Sequence, residues 1–156
     1  MTLLIALMPF SCRKVKIKEG NSRLPRATER GKRIFACYID NRTYIARYQP
    51  RAVYNPENGY LHISCTIRSF EFRIFIYENF TGIGEYKLSE TGEELYHSEN
   101  NFYGVRTSGL NCFYISEFNL AEDIIAGTFQ MDLYNSDSTE VKKIRNGIFD
   151  LEIEKI

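Results

Sequence analysis

The chain has 156 residues, of which 20 are basic and 20 are acidic, so its formal net charge is zero. This length fits one domain with a single core, and a hydrophobic fraction of 44% excludes a largely disordered chain. Zero net charge also argues against a dedicated nucleic-acid-binding protein, which needs a basic excess to contact phosphates. We therefore expect a globular domain with no nucleic-acid partner.

Residues 1–12 form an apolar segment that ends in Cys12, and Arg13 and Lys14 follow directly. An apolar run that closes on Ser11 and a cysteine resembles the lipobox end of a bacterial lipoprotein signal peptide, in which the cysteine is lipidated. The run is too short to span a bilayer as a helix. We therefore predict a remnant signal peptide with a lipid on Cys12, which anchors the chain at the periplasmic or outer-membrane face of the cell envelope. The alternative is a buried N-terminal strand.

Residues 13–33 carry nine basic and two acidic side chains, whereas residues 34–156 carry eleven basic and eighteen acidic ones. The basic segment has few large apolar residues, so burial cannot offset the entropy of ordering it. We predict a flexible tether over residues 13–33, whose positive charge suits an anionic membrane surface. The alternative is a short helix or strand docked on the domain. The acidic balance of the remainder disfavours a nucleic-acid partner further.

From residue 34 onwards, apolar and polar residues alternate with a period of two, which is typical of strands with one buried face. Residues 61–67 show the pattern clearly, since Leu61 and Ile63 alternate with polar side chains. The predicted strands cover residues 34–39, 43–47, 61–67, 70–77, 85–88, 102–106, 111–118, 124–134, 140–144 and 148–153. We therefore predict one all-β domain over residues 34–156, an antiparallel β-sandwich or open β-barrel of about 8–10 strands.

The chain has eleven Tyr and eleven Phe residues. Phenylalanines on the apolar side of their strands are predicted to form the core: Phe70, Phe72, Phe113, Phe129 and Phe149. Tyrosines nearer strand ends offer flat area with a polar tip, so five of them are candidate contacts for a glycan or protein ligand: Tyr48, Tyr54, Tyr60, Tyr96 and Tyr103. Loops 49–59 and 89–101 are the expected contact loops. The alternative is that these tyrosines plug the ends of the domain with their hydroxyls in water.

Residues suited to catalysis or metal binding form no recognisable set. His62 lies on the polar face of a predicted strand and His97 in a polar loop, without a nucleophile and base beside them. We therefore expect no metal, no cofactor and no enzymatic activity. One rival interpretation is a glycan hydrolase that uses Glu93 or Glu94 with Asp123 as paired carboxylates. A second rival is a β-barrel that carries a small hydrophobic ligand.

Three cysteines remain once Cys12 is assigned to lipidation, and all three lie in predicted strands: Cys37, Cys65 and Cys112. Their spacing excludes a CxxC redox or zinc pair. Two interpretations stay open. The thiols are buried and behave as small hydrophobic groups, or Cys37 and Cys65 form a disulfide.

Both ends of the predicted domain resemble one protein family. Residues 35–41 (FACYIDN), followed by Tyr44, resemble the opening strand and turn of a family of uncharacterised Bacteroidota lipoproteins. Residues 125–129 (IAGTF) and 144–150 (IRNGIFD) resemble the closing strand pair of that family. The resemblance covers residues 34–153 and implies a cell-envelope lipoprotein with a small all-β domain and no known catalysis. It therefore implies a lipid-anchored, non-catalytic binding or structural module and supplies no functional residues.

Overall fold

The computed structural model describes residues 24–25, 28–46, 48–67, 70–76, 80–88, 94–97, 102–106 and 108–156. The predicted signal peptide with Cys12, and most of the predicted tether, lie outside the described residues. The described part of the chain is all-β with no helix, so the predicted fold class is confirmed. Its strands are β1 Ile34–Ile39, β2 Arg42–Ile45, β3 Tyr48–Asn55, β4 Tyr60–Ile67, β5 Phe70–Ile76, β6 Gly84–Tyr86, β7 Glu94–His97, β8 Phe102–Val105, β9 Asn111–Asn119, β10 Ile124–Asn135 and β11 Val141–Lys155.

The strands form one strongly curled sheet with the order β2-β1-β11-β3-β4-β5-β7-β8-β10-β9-β6. β10 also pairs with β11, so the sheet folds back on itself as a half-barrel. Neighbouring strands are antiparallel except β3 and β11, which are parallel over three residue pairs. β11 has β10 along one edge, and its other edge pairs first with β1 and then with β3. This change of partner along β11 positions the site described below.

The curled sheet encloses a core rich in phenylalanine. Five phenylalanines are at most 2% exposed: Phe35, Phe72, Phe113, Phe129 and Phe149. The rings of Phe113 and Phe149 stack with their centroids 5.0 Å apart. Burial of each such side chain contributes about 1.5–3 kcal/mol. The predicted core phenylalanines at 72, 113, 129 and 149 are confirmed. The side chain of Phe70 lies outside the described part.

Two predicted boundaries are wrong because long-range pairing overrides local pattern. Residues 49–59 are predicted as a contact loop, but most of them belong to β3, and only residues 56–59 form a turn. Residues 140–144 and 148–153 are predicted as two strands, yet β11 continues through Asn146 and Gly147. At this point the registers with β1 and β10 both shift. The Asn-Gly pair therefore makes a β-bulge inside a strand rather than a turn between strands.

The last residues of the predicted tether are part of the folded domain. Asp150, which is fully buried, accepts hydrogen bonds from Thr28 through its N–H at 2.8 Å and its hydroxyl at 2.6 Å. It also accepts the backbone N–H groups of Arg30, Gly31 and Lys32. We call residues 28–33 the N-terminal strap. This one carboxylate therefore binds the strap to β11.

Candidate functional site

A groove of about 550 Å³ opens where β1 and β3 lie on the same edge of β11 without meeting each other. β1 pairs with β11 as far as Asp150, and β3 pairs with it from Ile153 onwards. Buried Pro50, Ala52 and Ile153 contribute apolar surface to the groove. Its polar lining consists of Arg33, Gln49, Arg51, Glu152 and Glu154. We call this feature the β3–β11 groove.

Two ion pairs lie in the β3–β11 groove. Arg33 donates from Nε and Nη2 to Glu152 Oε2, at 3.1 and 2.6 Å. Arg51 donates from Nη2 to Glu154 Oε2. All four side chains are between 52% and 58% exposed, and ion pairs in such surroundings contribute only about 0–1 kcal/mol each. A ligand with its own hydrogen-bonding groups can therefore displace these pairings at little cost.

Among the described residues, part of the β3 backbone edge at the groove has no strand partner. β3 pairs with β11 only at residues 52–54, and its register with β4 shifts between Tyr48 and Arg51. Pro50 lies in this irregular stretch, where its missing N–H removes no ladder bond. Tyr48 begins the same stretch and is 70% exposed. The groove thus combines charged side chains with the amide of Gln49.

The structure does not bring the described members of the predicted tyrosine set together. Tyr54 lies six residues from Tyr48 along β3, which is about 20 Å, and its ring packs against Phe118 at 5.2 Å. Tyr60 lies 6.4 Å from the ring of Phe75.

Tyr103 and Tyr96 have different surroundings again. Tyr103 is buried, and its hydroxyl donates to Glu140. Burial, with the Glu140 hydrogen bond next, raises the pKa of Tyr103 to about 12. The backbone of Tyr96 lies in β7 opposite Glu71 and Phe102, and its side chain is outside the described part.

His62 is on the outer face of β4, as predicted, but it is half-buried rather than fully solvated. Its ring stacks on Phe75 at 4.4 Å with an interplanar angle of 7°. Burial lowers the pKa of His62, and nearby Arg73 lowers it further, while Glu71 opposes the shift. Its Nε2 is buried and has no hydrogen-bond partner within the described ranges. His97 belongs to β7 rather than to a loop.

The residues of the hydrolase alternative are only partly described. Glu93 lies outside the described residues. Glu94 is paired in β7 opposite Arg73, and its side chain is not described. Asp123 lies in the turn between β9 and β10, where Lys155 pairs with it at 2.6 Å. Among described side chains, no group of three or more His, Cys, Asp or Glu is arranged to hold a metal ion. The same residues include no helix long and apolar enough to cross a membrane.

Of the two interpretations of Cys37 and Cys65, the disulfide is excluded, because both cysteines are free. Both side chains pack in the main apolar core, where they act as small hydrophobic groups. Burial raises the pKa of Cys37 to about 12 and raises that of Cys65 as well. Cys37 and Cys65 are therefore buried thiols, whereas Cys112 is disulfide-bonded.

The groove residues Arg33, Arg51, Glu152 and Glu154 are absent from the predicted site. A signal for two of them exists in the sequence, since Glu152 and Glu154 alternate with Leu151 and Ile153 and must share the outer face of their strand. Their arginine partners lie more than 100 residues away along the chain, so local pattern does not reveal the pairs.

Comparisons with protein-family models, with curated proteins and with solved structures found no match to this chain. The chemistry of the groove is therefore interpreted from its own residues.

Proposed function

We propose that this chain is a non-catalytic binding module of the cell envelope, anchored by a lipid on Cys12, and that the β3–β11 groove holds its ligand. The apolar segment that ends at Cys12, the basic residues after it and the resemblance to Bacteroidota lipoproteins support the anchor. The observation that carries the binding role is the pair of exchangeable Arg–Glu contacts in an open groove.

The ligand that suits this groove best is a segment of glycan. Sugar hydroxyls both donate and accept, so they can satisfy the guanidinium donors of Arg33 and Arg51 and the carboxylate acceptors of Glu152 and Glu154. A volume of about 550 Å³ also lies in the range of small-molecule sites. A peptide is the alternative ligand.

Binding suits the environment of the two groove carboxylates better than hydrolysis does. Glu152 and Glu154 are two residues apart on one face of β11, so they lie roughly 7 Å apart, which is compatible with a glycosidase pair. A general acid, however, needs a carboxyl group kept in an apolar, desolvated pocket. Both glutamates are half-exposed and paired with arginine. Neither glutamate therefore has the desolvated surroundings of a general acid.

The carrier alternative has less support from the packing. A carried hydrophobic ligand would need an apolar cavity inside the curled sheet. Closely packed phenylalanine rings fill the described interior, with Phe35 and Phe129 at 5.0 Å and Phe35 and Phe72 at 5.2 Å between centroids.

The binding proposal is tested by applying the full chain to glycan and peptide arrays. We expect glycan binding that falls at least about tenfold in the double variant Arg51→Ala/Glu154→Ala. The matched control is Glu71→Ala/Arg73→Ala, which removes an equally charged, exposed pair on β5. Peptide binding alone would reassign the ligand class, and equal loss in both double variants would refute the groove as the site. Release of shortened sugars from a bound glycan would support the hydrolase instead.

The anchor is tested separately by metabolic labelling with an alkyne fatty acid, in cells that express the gene with its natural upstream region. Label should enter the wild-type chain and be lost in Cys12→Ser. Equal labelling of the two proteins would refute lipidation of Cys12 and would leave the proposal about the β3–β11 groove unaffected.

A further inference from the structure

The chain contains two Asn-Gly pairs in opposite environments. Asn58 and Gly59 lie in the exposed turn between β3 and β4. Asn146 and Gly147 lie inside β11, between two neighbouring strands. Since the dipeptide is the same, any difference in its reactivity must come from the fold.

We propose that Asn58 is a site of spontaneous deamidation and isoaspartate formation, and that the fold protects Asn146. In this reaction the backbone nitrogen of Gly59 gives up its proton to solvent and attacks the side-chain carbonyl carbon of Asn58. A new C–N bond closes a succinimide ring, and the side-chain nitrogen leaves as ammonia. Water then adds to either ring carbonyl and opens the ring, giving aspartate or isoaspartate. One water is consumed and one ammonia released, with no change of oxidation state.

The turn geometry favours this attack at Asn58. The backbone N–H of Tyr60 donates to Asn58 Oδ1 at 3.0 Å, which folds the side chain back over the peptide bond between Asn58 and Gly59. The same donor polarises the carbonyl and stabilises the negative charge that develops on Oδ1 during attack. Gly59 has no Cβ to obstruct the approach, and its φ of +66° is a conformation that glycine adopts readily. The exposed turn also admits water.

The bulge in β11 lacks this freedom. Gly147 is buried opposite Phe129, whose ring atoms lie only 2.5 Å from where a Cβ would be. The residues on both sides of Asn146 are paired, Arg145 with Tyr38 of β1 and Gly147 with β10. Ring closure at Asn146 therefore requires local opening of the ladder on two sides, which happens rarely in a folded sheet.

Reaction at Asn58 changes the turn in two ways. It adds a negative charge next to Glu57, and the isoaspartate product adds one carbon to the backbone. The Cβ position of Gly59 is 3.6 Å from the carbonyl oxygen of Phe80, so the turn lies against the segment that packs on Tyr54. The modification therefore accumulates with the age of the protein. It lies at the end of the sheet where the rings of Tyr54, Phe80 and Phe118 pack together.

The test is peptide mapping by mass spectrometry of the folded full chain, after prolonged incubation in mildly alkaline buffer. We expect aspartate and isoaspartate to accumulate at position 58 roughly 100-fold faster than at position 146, since the latter requires ladder opening. In the denatured chain both pairs should react at similar rates. The variant Asn58→Gln should remove the product at position 58 while Asn146 stays intact. Equal rates at the two positions in the folded chain would overturn the proposal.

Discussion

β11 carries one buried acidic residue, Asp150, and two half-exposed ones, Glu152 and Glu154, which follow it closely along the strand. Asp150 is fully buried and accepts five hydrogen bonds from the N-terminal strap. Glu152 and Glu154, two and four residues further on, are half-exposed and each pairs with an arginine across the groove. Burial makes the first contact structural, and exposure leaves the others free to exchange with a ligand. One strand thus carries both the buried charge that binds the strap and the exposed charges that we propose contact the ligand.

The largest effect should come from breaking the buried contact. Asp150→Asn keeps the shape of the side chain but turns an acceptor into a donor that faces the N–H groups of the strap. We expect a loss of about 3 kcal/mol in the free energy of unfolding, measured by urea denaturation. A loss below about 0.5 kcal/mol would mean that the strap contributes little to the fold.

Substitution at the β11 bulge should be the next most damaging. Gly147→Ala places a methyl group 2.5 Å from the Phe129 ring, and overpacking of this kind costs typically 1–3 kcal/mol. Urea denaturation measures this loss as well. The comparison variant is Gly59→Ala, where the added methyl group has open surroundings although φ is positive. It should lose less unfolding free energy than Gly147→Ala. Equal losses of unfolding free energy in the two variants would contradict tight packing at the bulge.

The pH dependence of stability should distinguish the two kinds of carboxylate. Burial alone would raise the pKa of Asp150, but hydrogen bonds from Thr28, Gly31 and Lys32 outweigh it and lower the pKa. The resulting stabilisation is therefore present above the unfolded-state pKa of about 3.9. It is lost as the pH falls through the lower pKa of the folded state. Acid titration of unfolding should show this component in the wild type and not in Asp150→Asn; identical profiles would contradict it.

The smallest effect on stability should come from the groove. Arg51→Ala/Glu154→Ala removes an exposed ion pair, so the free energy of unfolding should change by less than about 1 kcal/mol. The control Glu71→Ala/Arg73→Ala should behave alike. Circular dichroism melts of both variants measure this, and a large loss in either would show that the pair stabilises the fold.

The period-two pattern was enough to predict an all-β domain, because alternation reports which face of each strand is buried. The pattern does not predict β3, because Pro50 and the polar residues beside it interrupt the alternation of apolar and polar side chains. It divided β11 at Asn146 because an Asn-Gly pair suits a turn as well as a bulge. The groove was beyond sequence pattern altogether, since it arises where β11 changes partner. Arg51 and Glu154, which meet there, are 103 residues apart in the chain.

Hydrogen exchange of the full chain, with and without a glycan that the array identifies, tests whether the β3–β11 groove binds the ligand. We expect added protection of backbone amides at residues 49, 51–54 and 151–155, and none over β4 and β5. Protection confined to β4 and β5, around His62 and Phe75, would place the ligand elsewhere and contradict this expectation.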